Sequence, residues 1–330
     1  MADMILKRSL LFSLIAIIIL ALASCSHGLK LNQTQKSQPL SLSPTSAILN
    51  YHGGPLLTSS STINVYLVWY GSFSLNDRTT INDFFNSFDP SKTSFPRQGP
   101  PTVSKWWETS RAYKDSAGKT VPTSVRVAKQ ISDIYSLGKN IKRAQISSFV
   151  VNKIEKKVLP LDSNGIYLVL TAKDVIVERF CMGSCGFHDS IVLSTTSKVV
   201  VAHVGDPSVQ CPGLCAWPYA VPAYGPPGQA LVAPNGVGTD GLVINIATIL
   251  AGSATNPFKN GYYQGDALAP LEAVTACPGI FGAGAYPGFP GNLVVDRISK
   301  ASFNAFGVNG RKFLLPAMWD PKGLSCKVVA

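Results

Sequence analysis

The chain predicts a mixed α/β fold of the α+β kind: one domain with a mixed β-sheet, a buried central helix and long loops stapled by disulfides. Three observations lead there. Two short runs rich in β-branched residues, Ile63–Trp69 and Ile166–Thr171, have the length and flanks of buried strands. Segments with apolar residues at helical spacing alternate with them, which suits strands and helices over one continuous core. From Cys211 onward the chain turns rich in Pro and Gly, and an even set of six cysteines lies between Cys181 and Cys326.

Residues 1–27 read as a secretory signal peptide. Lys7 and Arg8 precede an apolar run to Ala23, and small residues follow. That run is shorter than the roughly 20 apolar residues of a membrane anchor, so after cleavage no membrane attachment is expected. Residues 28–48 are polar and without period, a flexible leader, and its Asn32-Gln33-Thr34 sequon marks Asn32 for glycosylation. The domain itself runs over 49–330.

Within it, Ile63–Trp69 is the first strand, and Asn76–Phe88 carries Ile81, Phe84, Phe85 and Phe88 at helical spacing. Ser104–Thr109, with the Trp106-Trp107 pair, starts another packed element. Val125–Tyr135 reads as a strand and Arg143–Lys156 as a helix. Ile166–Thr171 is a strand that Val175–Phe180 extends or follows, and Ser190–Val204 continues in the same mode, with Val199–His203 as its best strand. Cys211–Gly241 and Pro278–Gly291 read as irregular loops. Between them Thr239–Pro257 is a helix apolar enough to be buried, with Asp240 as N-cap and Asn256-Pro257 as its stop. Val294–Asp296, Phe303–Asn304 and Lys312–Leu315 read as short terminal strands.

Six cysteines lie beyond the signal: Cys181, Cys185, Cys211, Cys215, Cys277 and Cys326. In a secreted chain they read as three disulfides of open connectivity. Their rival is a zinc site, since Cys181, Cys185 and His188, with Cys211 and Cys215, bracket His203 at allowed gaps. The net charge is +11, and basic residues cluster between Lys129 and Lys157, among them Lys139, Lys142, Arg143, Lys153 and Lys156. With secretion excluding nucleic acid, an acidic extracellular polymer is the natural electrostatic partner.

Candidate chemistry is sparse. The buried helix offers only Asn245, Thr248, Ser253 and Thr255, and none is a strong acid, base or metal ligand. His188 stands in a Cys185–Ser190 segment that invites a His–Asp or Ser–His reading, yet no G-x-S-x-G elbow accompanies it. Asp240, Asp266, Glu272 and Asp296 are scattered, and no spacing selects a glycosidase pair. Trp217, Tyr262 and Tyr263 sit in the glycine-rich loops and, with His188, are the expected ligand contacts; Tyr219, Tyr286 and Phe289 share those loops. No nucleotide fingerprint occurs, and neither cofactor nor metal is expected.

Long motifs then point to a family. They include YHGGP at Tyr51–Pro55, INVYLVWYG at Ile63–Gly71, FCMGSCGFHDS at Phe180–Ser190 and VGDPSVQCPGLCAWP at Val204–Pro218. PNGVGTDGLVINIATILAGSATNP (Pro234–Pro257) and PLEAVTACPGIFGAGAYPG (Pro270–Gly288) continue the series. In these the chain resembles the EXORDIUM, or phosphate-induced protein 1, family of secreted plant proteins, from about Leu49 to Val328. The resemblance implies an extracellular, apoplastic, cell-wall-associated protein linked to hormone- and nutrient-dependent growth, with no enzymatic activity attached. A more distant resemblance runs to zinc metallopeptidases of the zincin type through Thr255-Asn256-Pro257. It places the metal-binding histidines at Thr248 and Gly252, the glutamate base at Ile249 and a downstream acid at Glu272. Such a set cannot hold zinc or activate water, which implies a scaffold that has lost its metal. The expectation is a non-enzymatic growth regulator that binds an acidic wall polysaccharide or an extracellular receptor; the rival is a hydrolase acting on wall polysaccharide or peptide.

Overall fold

A computed structural model describes residues 47–92, 101–195, 197–225 and 228–329. The signal peptide, nearly all of the polar leader and the Asn32 sequon lie outside the described residues.

A strand pair opens the domain, with β1 (Asn50–Tyr51) joined to a partner near residue 262. The main sheet begins at β2 (Thr62–Tyr70), and its interior residues are buried on both faces, as a run without alternation requires. Gly71 ends it at φ 98°, with no space for a side chain against Ala172 and Tyr135. Helix α1 (Leu75–Asn86) follows. Ser74 caps it in a capping box with Asp77, and Thr80, Ile81, Phe84 and Phe85 face inward. The short α2 (Val103–Trp107) buries both tryptophans, each of whose indole N–H groups reaches a backbone carbonyl, of Pro316 and Pro122 respectively.

Next come β3 (Ser124–Asp133), β4 (Asn140–Ile141), α3 (Arg143–Glu155), β5 (Ile166–Thr171), β6 (Ile176–Val177), β7 (Gly186–Val192) and β8 (Lys198–Gly205). Five strands form the sheet in the order β3-β2-β5-β8-β7. The first four are parallel, and β7 runs antiparallel along the edge. The sequence reads Ser190–Val204 as one continuous run. It instead spans the end of β7, a turn closed by Leu193 N–H on Ser197 C=O at 2.9 Å, and β8, and the first strand of this hairpin starts earlier, at Gly186. Val175–Phe180 supplies only the two-residue β6, paired with β4 outside the main sheet.

One sheet face carries Ile63, Val65, Leu67 and Trp69 of β2, with Ile166, Leu168 and Leu170 of β5, packed with α1 and the long α5 (Val237–Thr255). The other carries Tyr66, Val68 and Tyr70, packed with Ile146, Phe149 and Val150 of α3. The sheet is thus covered by helices on both sides. One turn of helix, α4 (Pro212–Cys215), interrupts the loop region after β8.

Helix α5 is long and apolar enough to cross a membrane, and it is largely buried in the domain core. Its start differs from the expectation. Gly236, at φ 103°, is the N-cap, and Asp240 lies inside the first turns. The Asp240 carboxylate accepts from the backbone N–H and side-chain amide of Asn235, both at 2.8 Å, so it braces the preceding loop and caps no helix N–H. The C-terminal part beyond β9 (Tyr262–Tyr263) is a series of short antiparallel pairs between Val294 and Lys327. Three disulfides staple the domain: Cys181–Cys211, Cys185–Cys215 and Cys277–Cys326.

Candidate functional site

The best-formed constellation lies where the end of α5 passes under the edge strand. Alternation along β7 sends Phe187 to one face of the sheet, against His203, and His188 to the other, toward α5. There His188 Nε2 lies 2.9 Å from both carboxylate oxygens of Glu272. Glu272 Oε1 also accepts from the side-chain amide of Asn256 at 2.7 Å, and Asn256 Oδ1 accepts from Gly261 N–H. Asn256, the C-cap of α5, thereby ties helix, loop and strand together.

Glycine at position 252 makes this possible. A Cβ there would lie 2.5 Å from Glu272 Oε2 and 3.2 Å from His188 Nε2. Ile249, one turn earlier, packs beneath Gly186, and Thr248 donates its hydroxyl to Ile244 C=O within its own helix. The His188 and Glu272 side chains are only 6% and 11% exposed. Burial pulls the His188 imidazolium down. The facing Glu272, by charge and hydrogen bond, outweighs that and holds its pKa above the ordinary histidine value. His188 Nδ1 is buried with no hydrogen-bond partner among the described residues. At the rim, Lys259 pairs with Asp189 at 3.0 Å.

Position by position, Gly252, Glu272 and His188 meet, with Ile249 in the same layer. Thr248 supplies only a hydroxyl already in use. Among the described residues, and with the cysteines bridged, no group of three His, Cys, Asp or Glu side chains is placed to hold a metal ion. Sequence reasoning set His188 among ligand contacts and Glu272 among lost metal positions, and did not join them. Their sequence separation of 84 hides the pair. Asn256, read as a helix stop, is the third member.

The remaining candidates are dispersed. His203 is a core residue whose Nε2 meets Thr171 Oγ1 at 2.9 Å, and burial lowers its pKa to about 3. Trp217 packs against Phe281 and over Gly279. Tyr262 stacks on Tyr51 and meets Tyr113 at a steep angle, so it is engaged in packing, while Tyr263 stacks on the exposed His52 at 3.8 Å. Asp266 accepts from Leu268 N–H and Asp296 pairs with Lys312, the work of loop carboxylates. At the opposite, β3 edge of the sheet a cavity of about 870 Å³ is walled mainly by polar side chains such as Asn82, Gln130, Ser104 and Arg111.

The model of the phosphate-induced protein 1 conserved region matches residues 49–329. The chain belongs to the phosphate-induced protein 1 family. It is 44% identical to Protein PHOSPHATE-INDUCED 1 of Nicotiana tabacum, over 90% of this chain and 93% of that protein. It is 45% identical to Protein EXORDIUM of Arabidopsis thaliana, over 86% and 89% of the two chains. Protein EXORDIUM-like 2 of the same plant is 44% identical over 94% and 97%. No solved structure matches.

Proposed function

We propose that this family member is an extracellular, wall-associated growth regulator that acts by binding an acidic cell-wall polysaccharide or an extracellular receptor, and not by turnover. One observation carries the reading. Where α5 passes under the edge strand, the acid–base pair His188–Glu272 is closed on itself and buried, and Thr248, Ile249 and Gly252 bring no strong donor.

The basic surface supports the binding half. Lys139 and Lys153 are engaged by Asp174 and Asp133, and Arg143 lies over Phe187. Lys129, Lys142, Lys156 and Lys157 are exposed, and no ion pair engages them among the described residues. Exposed cations attract a polyanion over a Debye length of about 8 Å at physiological salt, so such binding is salt-sensitive.

The test uses the protein purified from its secretions. It should be retained on demethylesterified pectin, be released by moderate salt, and lose at least half its retention on Lys142→Ala, Lys156→Ala and Lys157→Ala together. Retention that ignores both salt and these lysines would defeat the reading. Incubation with wall polysaccharides and peptides should release no product. A turnover abolished by His188→Gln with the fold intact would establish the rival hydrolase, for which the His188–Glu272 pair is the favouring observation.

A further inference from the structure

The folded chain gathers four sulfurs on the side of the sheet covered by α3. Cys181 and Cys185 flank a tight turn that leads into β7, closed by Cys181 N–H on Ser184 C=O at 3.0 Å, with Gly183 at φ 80°. Cys211 and Cys215 bracket the single turn of α4. The two bridges between these segments each span 30 residues, with Cα–Cα distances of 5.7 and 5.5 Å. The two bridges also touch each other, for Cys211 Sγ and Cys215 Sγ, which are not bonded, lie 3.6 Å apart. Cys277 and Cys326 belong to the core on the other side of the sheet.

One edge of a tetrathiolate metal site stands near its required length while the bridges are intact. Tetrahedral coordination at about 2.3 Å per sulfur sets neighbouring sulfurs roughly 3.8 Å apart, which the unbonded Cys211–Cys215 pair already approaches. Both Cys-x3-Cys gaps fall within the two to four residues such sites use. Cys215 is buried, whereas Cys181, Cys185 and Cys211 are half-buried, so a reductant or a metal ion can reach the cluster from solvent. Arg143 donates to Ser184 Oγ in the same turn, and Arg179 precedes Cys181 by two residues.

We propose that the reduced protein binds one zinc-class cation through Cys181, Cys185, Cys211 and Cys215, so that this cluster has two alternative forms, a pair of disulfides or a single metal tetrathiolate. Two equivalents of a dithiol supply four electrons and four protons and leave as disulfides, converting the two bridges into four thiols. The cation then takes the four sulfurs as thiolates and releases four protons. Either form fastens the start of β7 to α4. Either also holds the Cys215 carbonyl where it accepts from Asn245 of α5 at 2.8 Å.

The full mature chain, and its Cys277→Ser/Cys326→Ser variant, would be reduced with a dithiol, freed of it under nitrogen and titrated with Co²⁺. Both should bind one equivalent with the visible spectrum of tetrahedral sulfur coordination, and Zn²⁺ should displace it with a Kd below about 1 μM. Zn²⁺ should also raise the melting midpoint of the reduced protein, or restore its secondary structure where reduction has abolished it. Cys181→Ser/Cys215→Ser should weaken cobalt binding at least tenfold. An octahedral spectrum, no metal uptake, or uptake indifferent to Cys181 and Cys215 would overturn the proposal.

Discussion

At the scale of single residues, the decisive position is one with no side chain. Gly252 lets the Glu272 carboxylate lie against α5 within reach of both His188 and Asn256. Gly252→Ala must displace that carboxylate, since its Cβ would sit 2.5 Å from Oε2. Overpacking of this kind costs about 1–3 kcal/mol, and urea unfolding should show it. If the variant instead gains stability, as an alanine in an open helix does, Glu272 is not held there. The glycine was legible in the sequence as a missing ligand. Its role as the floor of a buried pair was not, because that role belongs to Glu272 and His188 and to the fold that brings them over it.

At the scale of elements, the irregularity in β3 sets which side chains face α1. Val65 pairs with Val127 but Tyr66 pairs with Lys129, so Ala128 is an extra residue in β3. Beyond it the faces exchange, and Gln130 joins Val125 and Val127 on the α1 side. There it accepts from the Trp69 indole N–H at 2.9 Å and donates to Asn82 at 2.7 Å. Gln130→Leu strands the indole N–H of a tryptophan only 1% exposed, and should cost about 1–3 kcal/mol in chemical denaturation. Gln130→Glu keeps an acceptor oxygen and should lose less than half as much. Equal losses in the two variants would show that packing, and not the hydrogen bond, matters at this position. A strand over Val125–Tyr135 was readable from its β-branched residues. The bulge was not, since nothing local in Ala128-Lys129 demands it; pairing with β2 does.

At the scale of the whole molecule, two buried groups make stability depend on pH in opposite senses. Burial raises the Asp240 carboxyl to about 7 from an ordinary 3.8. Its contribution is therefore full below the unfolded value and is lost as pH rises through 7. Burial, with Arg143 nearby, lowers His203 to about 3 from 6.5, so its contribution is full above 6.5 and is lost as pH falls toward 3. Each slope is about 1.4 kcal/mol per pH unit within its window, and between about pH 4 and 6.5 they oppose each other. Urea midpoints should accordingly change little across that range in the native protein. Asp240→Asn should leave a protein that weakens on acidification. His203→Asn should leave one that strengthens. Native-like pH profiles in both variants would show that neither group stays buried in the form described. Asp240 was read as a helix cap because Asp before an apolar run usually is one. The chain instead enters α5 from Gly236 and buries the carboxylate against Asn235.

What the sequence determined by itself was local or compositional. Helical spacing in α1, α3 and α5, β-branched runs in β2 and β5, and Pro/Gly-rich loops all follow from short-range periodicity and backbone freedom. An even set of cysteines told of bridges, and long motifs told of family. The tertiary structure alone decided the order β3-β2-β5-β8-β7, the reversal of β7, the pairing of Cys181 with Cys211 and Cys185 with Cys215, and the meeting of His188 with Glu272. Each of these joins residues far apart in the chain. Such contacts form only when burial of a shared core outweighs the entropy of closing the loops between them, and no local pattern records which closure prevails.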